Sequence, residues 1–291
     1  MTVPWMVSLH GGHSGGYCEH AKDSLDEMLD QAWKSGYRVF GVSEHVPRQD
    51  PWHYRTEIDK GWTSTIMVEK FREYSTHMDR AIPQWQDRMT VLKGLEIEVV
   101  PDATWLEDMT RLRTEGNFDY VVGSVHYVHD IPIDETPENF TRAIERSGSM
   151  EQLALDYYDL VLDMAEKLKP EVLGHPDLIR KLGDDFGYEE TPAVRQRLER
   201  LAALAHRHGC LFDVNTYPLR KGKPNPYCSP FILSLARQEG VGLCFGDDSH
   251  SIDTVGAGLP EARRYLLEHG IEELSFLNRV DGEVRQDSVP L

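Results

Sequence analysis

Short apolar runs recur along the chain, and most of them end on a histidine, a glutamate or an aspartate. The first occupies residues 7–10 and closes on His10; the second, residues 39–43, runs into Glu44 and His45. Residues 90–95 deliver Glu96 and Glu98, residues 118–125 end on His126, and the short run 171–174 ends on His175. Residues 210–215 form a sixth run, and 241–245 a seventh that opens into Gly246-Asp247-Asp248-Ser249-His250. Runs of this length with β-branched residues read as buried strands. Between them the apolar positions move to three- and four-residue spacing, which predicts helices. One starts at an Asp23 or Ser24 cap, carries Leu25, Met28, Leu29 and Trp33, and stops at Gly36. Others are predicted over 65–82 (interrupted by Pro83), 101–114, 150–168, 192–208, from near Ser229, and over 258–268. The loop 47–62 is aromatic and polar, and long enough to act as a lid or wall.

About seven strands alternate with helices, which predicts an α/β fold with a parallel sheet. In a closed barrel the carboxyl ends of all strands meet at one face, where sites form; an open sheet also places sites there but cannot gather every strand end. The number of contributing strands therefore favours closure. A length of 291 residues fits one large barrel or two smaller domains. No linker-like stretch divides the chain, so a single domain over 1–291 is expected, with its core at about 5–270 and a loose tail at about 279–291.

Composition narrows the function classes. A formal net charge of −18 argues against a general nucleic-acid binder, while leaving room for a small anionic substrate beside bound cations. Cys18, Cys210, Cys228 and Cys244 are scattered and form no CxxC pair, so neither a disulfide framework nor a zinc knuckle is expected, and buried thiols are. The opening stretch Met1 to Trp5 has no signal-peptide pattern and no run reaches transmembrane length, so a cytoplasmic protein without a membrane partner is expected.

The predicted barrel mouth collects His10, His13, His20, His45, Glu96, His126, His175, Asp248 and His250. Any one histidine at a strand end reads as a hydrogen-bonded core residue. Together they read differently, because each buried imidazole nitrogen left without a partner costs ~1 to 3 kcal/mol. Nine donors exceed one tetrahedral ion, so two or three ions are expected, with Glu96 able to bridge a pair. Two cations at ~3.5 to 4 Å are the recurrent apparatus of phosphate-ester hydrolysis. Zinc, iron and manganese all suit imidazole and carboxylate donors, and the choice among them stays open. A phosphorylated substrate calls for guanidinium or ammonium groups at the same face. Arg180 after His175, Arg220 and Lys221 after Asn215-Thr216-Tyr217, and Arg48 after Glu44-His45 are so placed. His129 is a further candidate to face the substrate; His53, His77, His206, His208 and His269 read as structural or solvated.

In their order, the histidine cluster, Ser43-Glu44-His45, Gly94-Leu95-Glu96, Gly123-Ser124-Val125-His126, Gly174-His175-Pro176-Asp177 and Asp248-Ser249-His250 resemble the PHP (polymerase and histidinol phosphatase) metallohydrolase family over residues 10 to about 270. Glu44-His45-Val46-Pro47-Arg48, the Tyr127-Val128 and Ile131-Pro132-Ile133-Asp134 segments, and Leu219-Arg220-Lys221-Gly222 resemble its histidinol-phosphatase branch. The resemblance implies a distorted (β/α)7 TIM-like barrel, a trinuclear metal centre and hydrolysis of L-histidinol phosphate to L-histidinol and phosphate in histidine biosynthesis. It implies one ion on His10, His13, Glu96 and Asp248, a second on Glu96, His126 and His175, and a third on His20, His45 and His250. Asp248, His250 and Glu96 would then be the residues closest to the chemistry. The family pattern is His-X-His at the first strand, whereas this chain has His10-Gly11-Gly12-His13. Either a glycine bulge restores the geometry or only one of the two histidines ligates.

Two other readings compete. One is a PHP phosphoesterase for another small phosphorylated metabolite or for nucleic-acid ends; the other is a catalytically silent metal-binding protein. Oligomeric state is not encoded in any heptad or apolar patch that the sequence displays.

Overall fold

The computed structural model describes residues 2–291; Met1, which begins the stretch read for a leader, lies outside the described residues. The strands in chain order are β1 (Val7–Ser8), β2 (Val39–His45), β3 (Thr90–Ile97), β4 (Tyr120–Gly123), β5 (Tyr127–Val128), β6 (Ile131–Pro132), β7 (Val172–Leu173), β8 (Leu211–Asn215), β9 (Leu243–Gly246), β10 (Glu273–Val280) and β11 (Glu283–Pro290). Seven of them form one parallel sheet in the order β1-β2-β3-β4-β7-β8-β9. The first and last strands meet: Leu9 N–H donates to Phe245 O at 2.9 Å, and His10 bridges Gly246 in parallel register. The sheet is therefore an α/β barrel of seven strands, nearly closed through a short seam.

The strands are short and buried on both faces, as expected where helices cover the outside. Inside, Tyr120 fills the barrel beside Gly41 and Gly94; a methyl at either glycine would come within 2.2 or 2.4 Å of that side chain. Helix ends follow local chemistry. Ser24 forms a capping box with Glu27 ahead of the helix Leu25–Lys34. Thr191 caps Pro192–His208, with proline in the first turn and Gly209 in the left-handed stop position.

Three expectations are corrected. The helix expected to break at Pro83 runs through it, over Ser64–Trp85. A helix at Pro137–Ser147, capped by Thr136, and the small antiparallel pair β5–β6 lie in a stretch where the sequence pattern predicts no element. The expected loose tail pairs as the antiparallel hairpin β10–β11, turning at Asp281-Gly282, both with positive φ. Leu274 and Phe276 on β10 are fully buried, so the hairpin packs as part of the core.

Candidate metal centre

The nine donors read from the sequence converge at the carboxyl end of the barrel. Glu96, on β3, sits at the centre and is buried. Its Oε1 lies 3.3 Å from His10 Nε2, 3.3 Å from His175 Nε2 and 3.6 Å from His126 Nε2, and accepts from Ser124 Oγ at 2.6 Å. Its Oε2 lies 2.9 Å from His45 Nδ1 and 3.8 Å from His13 Nε2. One carboxylate thus faces two sets of imidazoles, the disposition a bridging ligand needs. Asp248 Oδ1 is 3.7 Å from His13 Nε2 on the second side.

Donor atoms within 4.8 Å of one another fall into overlapping groups: His10, His13 and Glu96; His10, His175 and Asp248; His13, Asp248 and His250; Glu96, His126 and His175; and Cys18, His20, His45 and His250. The His13 ring stacks on those of His45 and His250, with centroids 4.2 and 4.3 Å away, and His20 stacks on His250 at 4.6 Å. His10 Nε2, His13 Nε2, His45 Nε2, His250 Nε2 and Glu96 Oε2 are all buried without a hydrogen-bond partner. Orphaned nitrogens aimed at one another are costly unless they share cations, so this donor set fits divalent ions at more than one position.

The extra glycine does not separate His10 from His13. Gly11 (φ +152°) and Gly12 (φ +74°) take conformations that other residues reach only with strain, and the loop turns so that both imidazoles face Glu96. Asp248 also holds a left-handed φ of +46°. Its N–H donates to His10 O at 2.8 Å, and Arg220 Nη2 donates to its carbonyl at 3.0 Å, so two contacts hold the strained residue in place.

Behind the donors lies a set of carboxylates to which the sequence pattern assigns no role. Asp213 Oδ2 pairs with His10 Nδ1 at 2.7 Å, Glu98 Oε2 with His126 Nδ1 at 2.7 Å, and Glu44 Oε1 with His13 Nδ1 at 3.3 Å. Each is placed to accept a hydrogen bond from Nδ1, which turns Nε2 toward the centre, the usual support of a metal-ligating histidine. The signal is present for Glu98: it lies two residues beyond Glu96, just past the end of β3, the spacing that in an extended chain returns a side chain to the same face.

The electrostatics separate two kinds of imidazole. Burial works against protonation of His10 and His126, but Glu96 and Asp213 outweigh it at His10, and Glu98 outweighs it at His126. The first is held well above the ordinary value and the second at about 9. At His45 and His250 burial and the neighbouring His13 prevail, lowering them to about 4 and about 3. Burial also opposes ionisation of Glu96 and Asp248, yet the surrounding imidazoles hold both below the usual carboxylate range.

A cavity of about 450 Å³ opens onto the donors, and His20, His45, Glu96, His126, His175, Asp248 and His250 form one wall of it. Arg220 and Lys221 line it, as does Lys181, which the sequence pattern does not single out. Lys181 Nζ is 3.0 Å from Asp134 Oδ2 and 4.9 Å from the Tyr217 ring centre. Tyr54, from the long loop, makes that loop a wall.

Three sequence candidates are corrected. Arg48 is buried away from the cavity, paired with Glu57 and stacked 4.1 Å over the Tyr54 ring, so it supports the wall from behind. Arg180 is held by Asp177 at 3.3 Å and Asp184 at 3.4 Å, and lines a neighbouring cleft. Its carboxylate partners take the charge expected to meet phosphate. His129 also turns away, to Asp156 at 2.8 Å.

A seven-stranded parallel barrel with a carboxylate-centred histidine cluster at its carboxyl mouth defines an enzyme of the β/α-barrel class with a site suited to divalent metals. The PHP domain model matches residues 10–217, and the chain belongs to the PHP domain family. It is 31% identical to a protein of Schizosaccharomyces pombe named probable histidinol-phosphatase, covering 94% of this chain and 90% of that one. It is 26% identical to the histidinol-phosphatase of Saccharomyces cerevisiae, over 89% of this chain and 88% of that one. Among solved structures, histidinol phosphate phosphatase from Lactococcus lactis, complexed with zinc, L-histidinol and phosphate, superposes with a TM-score of 0.72 at 16% identity, over 97% of this chain and 99% of that one. At that identity the superposition shows the shared barrel.

Proposed function

We propose that this protein is a metal-dependent phosphomonoesterase that hydrolyses L-histidinol phosphate to L-histidinol and phosphate, acting in histidine biosynthesis in the cytoplasm. The observation that carries the reading is the cavity itself: the Glu96-centred donor cluster lines it together with Lys181, Arg220, Lys221, Tyr54, Tyr217, Tyr227 and Asp134. Cationic groups suit a phosphoryl group; aromatic rings and one carboxylate suit an imidazole and an ammonium. The relatives named histidinol-phosphatase support the same substrate.

His10, His13, Glu96 and Asp248 would hold one ion, Glu96, His126 and His175 a second, and His20, His45 and His250 a third. When bound, these ions supply charge neutralisation for the phosphoryl oxygens and a water readied to lose its proton. The chain's own groups do the rest. Asp213, Glu98 and Glu44 fix the tautomers of three histidines, so the donor lone pairs are set before substrate arrives. Arg220 locks the backbone of Asp247 and Asp248 through their carbonyls, and its position on the cavity wall adds positive charge beside the phosphoryl site. Lys181 and Lys221 extend that charge, and Lys181 keeps it because Asp134 raises its affinity for a proton against the cost of burial.

The test is phosphate release by metal-loaded enzyme from L-histidinol phosphate, compared with other small phosphomonoesters and with 3′- and 5′-phosphorylated oligonucleotides. A kcat/KM highest for L-histidinol phosphate is expected. Turnover of another substrate with none of this one would overturn the assignment and leave the phosphoesterase class.

A further inference from the structure

We propose that Cys18 is a fourth protein ligand of the ion held by His20, His45 and His250, a sulfur donor that closes this position from behind and favours zinc over manganese or magnesium there. The proposal rests on the reading that this cluster holds an ion.

The geometry comes first. Donor atoms of Cys18, His20, His45 and His250 lie within 4.8 Å of one another. Cys18 Sγ is 3.4 Å from His20 Nδ1 and 3.5 Å from its Nε2. A tetrahedral zinc with Zn–S of ~2.3 Å and Zn–N of ~2.0 to 2.1 Å sets neighbouring sulfur and nitrogen atoms ~3.5 Å apart. A second observation is independent of the cysteine: His45 Nε2 and His250 Nε2 are buried with no partner. They need a shared electrophile whether or not sulfur takes part.

Position then gives the cysteine its role. His20, His45 and His250 line the substrate cavity, whereas Cys18 is buried and does not. The turn that places it is fixed by Cys18 N–H donating to Ser14 O at 2.8 Å and Tyr17 N–H to the same carbonyl at 2.9 Å. The sulfur therefore approaches from the protein side and leaves the cavity side to substrate. On ion binding the S–H bond breaks, a sulfur–metal bond forms and the proton leaves to solvent, with no change of oxidation state. The other donor groups offer nitrogen and oxygen alone. Thiolate is the soft ligand of the set, so this position would differ from its neighbours in metal preference.

The experiment strips the purified enzyme with a chelator and reloads it with cobalt(II), reading bound cobalt and the near-ultraviolet spectrum. Cys210, Cys228 and Cys244 are free and buried, and none joins a donor group among the described residues, so a sulfur-to-cobalt charge-transfer band reports Cys18. The wild type is expected to show that band as its last cobalt site fills. Cys18→Ser is expected to lose the band and weaken one cobalt equivalent while the others stay bound. Should the variant fail to fold, the wild-type spectrum decides alone, with a matching sulfur-to-metal band under cadmium(II) as the second reading. Cobalt filling all positions without the band overturns the sulfur ligand and leaves the metal reading intact. Cobalt bound at the Glu96 groups alone, with none at the His20, His45 and His250 group, overturns both.

Discussion

Asp213 Oδ2 lies 2.7 Å from His10 Nδ1, and this contact decides which nitrogen of that fully buried histidine faces Glu96. Asp213 also accepts from His175 N–H at 3.0 Å, so it ties two donor strands together. Asp213→Asn keeps the shape but can present an amide N–H to His10, which turns the ring's proton toward the ions. A loss of about 10- to 100-fold in metal affinity or activity is expected. Metal titration of the variant checks it; wild-type affinity with an intact fold would deny the carboxylate this role.

Gly11 makes the second prediction. A methyl there would come within 2.1 Å of Asp247 Oδ1, a buried carboxylate oxygen whose Oδ2 neighbour accepts from Tyr37 Oη at 2.6 Å and Gly256 N–H at 2.8 Å. Gly11→Ala is expected to cost about 1 to 3 kcal/mol in backbone strain alone and to lower bound metal, because His10 and His13 move with the loop. Gly16 is the control: a methyl there meets no atom within 4 Å, and its backbone lies outside the left-handed region. Thermal unfolding and elemental analysis of Gly11→Ala and Gly16→Ala should separate them, and equal behaviour would remove the argument.

Much of this architecture is legible in the sequence, and for a physical reason. A strand buried on both faces is mostly apolar until it leaves the barrel, so a histidine or carboxylate closing an apolar run marks the mouth; His45, Glu96, His126, His175 and Asp248 are readable in that way, although buried polar residues such as Lys93 and Ser43 lie earlier on their strands. The phosphate-facing cations are legible only in part: Arg220 and Lys221 line the cavity as the sequence suggests, but a loop arginine reveals nothing of its partner. Arg180 meets Asp177 and Asp184, Arg48 meets Glu57, and Lys181 remains at the cavity. The C-terminal hairpin does carry a signal in Asp281-Gly282, a favoured pair for a tight turn with positive φ. The polar, exposed face of β11 hides it.

Ion uptake should release protons unequally. In the metal-free protein His126 is held at about 9 by Glu98 against the effect of burial, so it is protonated near neutral pH and must lose that proton to ligate. His10 is raised in the same sense, while His45 and His250, lowered to about 4 and about 3 by burial and His13, are already neutral. A raised value means that metal competes with protons below it, so affinity at the Glu96–His126–His175 position should climb as pH rises toward about 9. The three imidazoles of the His20–His45–His250 position should release no proton, so any proton released there comes from the Cys18 thiol, which burial raises. Calorimetric titration in buffers of different ionisation enthalpy measures the protons released; a heat independent of buffer would contradict the expectation.

Lys181 and Arg48 supply a paired contrast between substrate binding and stability. Lys181 reaches the cavity, and a charge-assisted contact to a phosphoryl oxygen is worth about 1.5 to 3 kcal/mol, roughly ten- to a hundredfold in kcat/KM. Lys181→Met should therefore lower kcat/KM by that factor while metal content stays at the wild-type level. Arg48 never meets the cavity; with Glu57 it forms an ion pair whose side chains are 4% and 2% exposed. Arg48→Met strands the Glu57 charge and should cost about 3 to 5 kcal/mol of stability. The folded fraction should keep a near-normal KM, since the damage lies behind Tyr54. Denaturant unfolding and steady-state kinetics on both variants decide the matter: a large KM effect from Arg48→Met at unchanged stability would return that arginine to the substrate site.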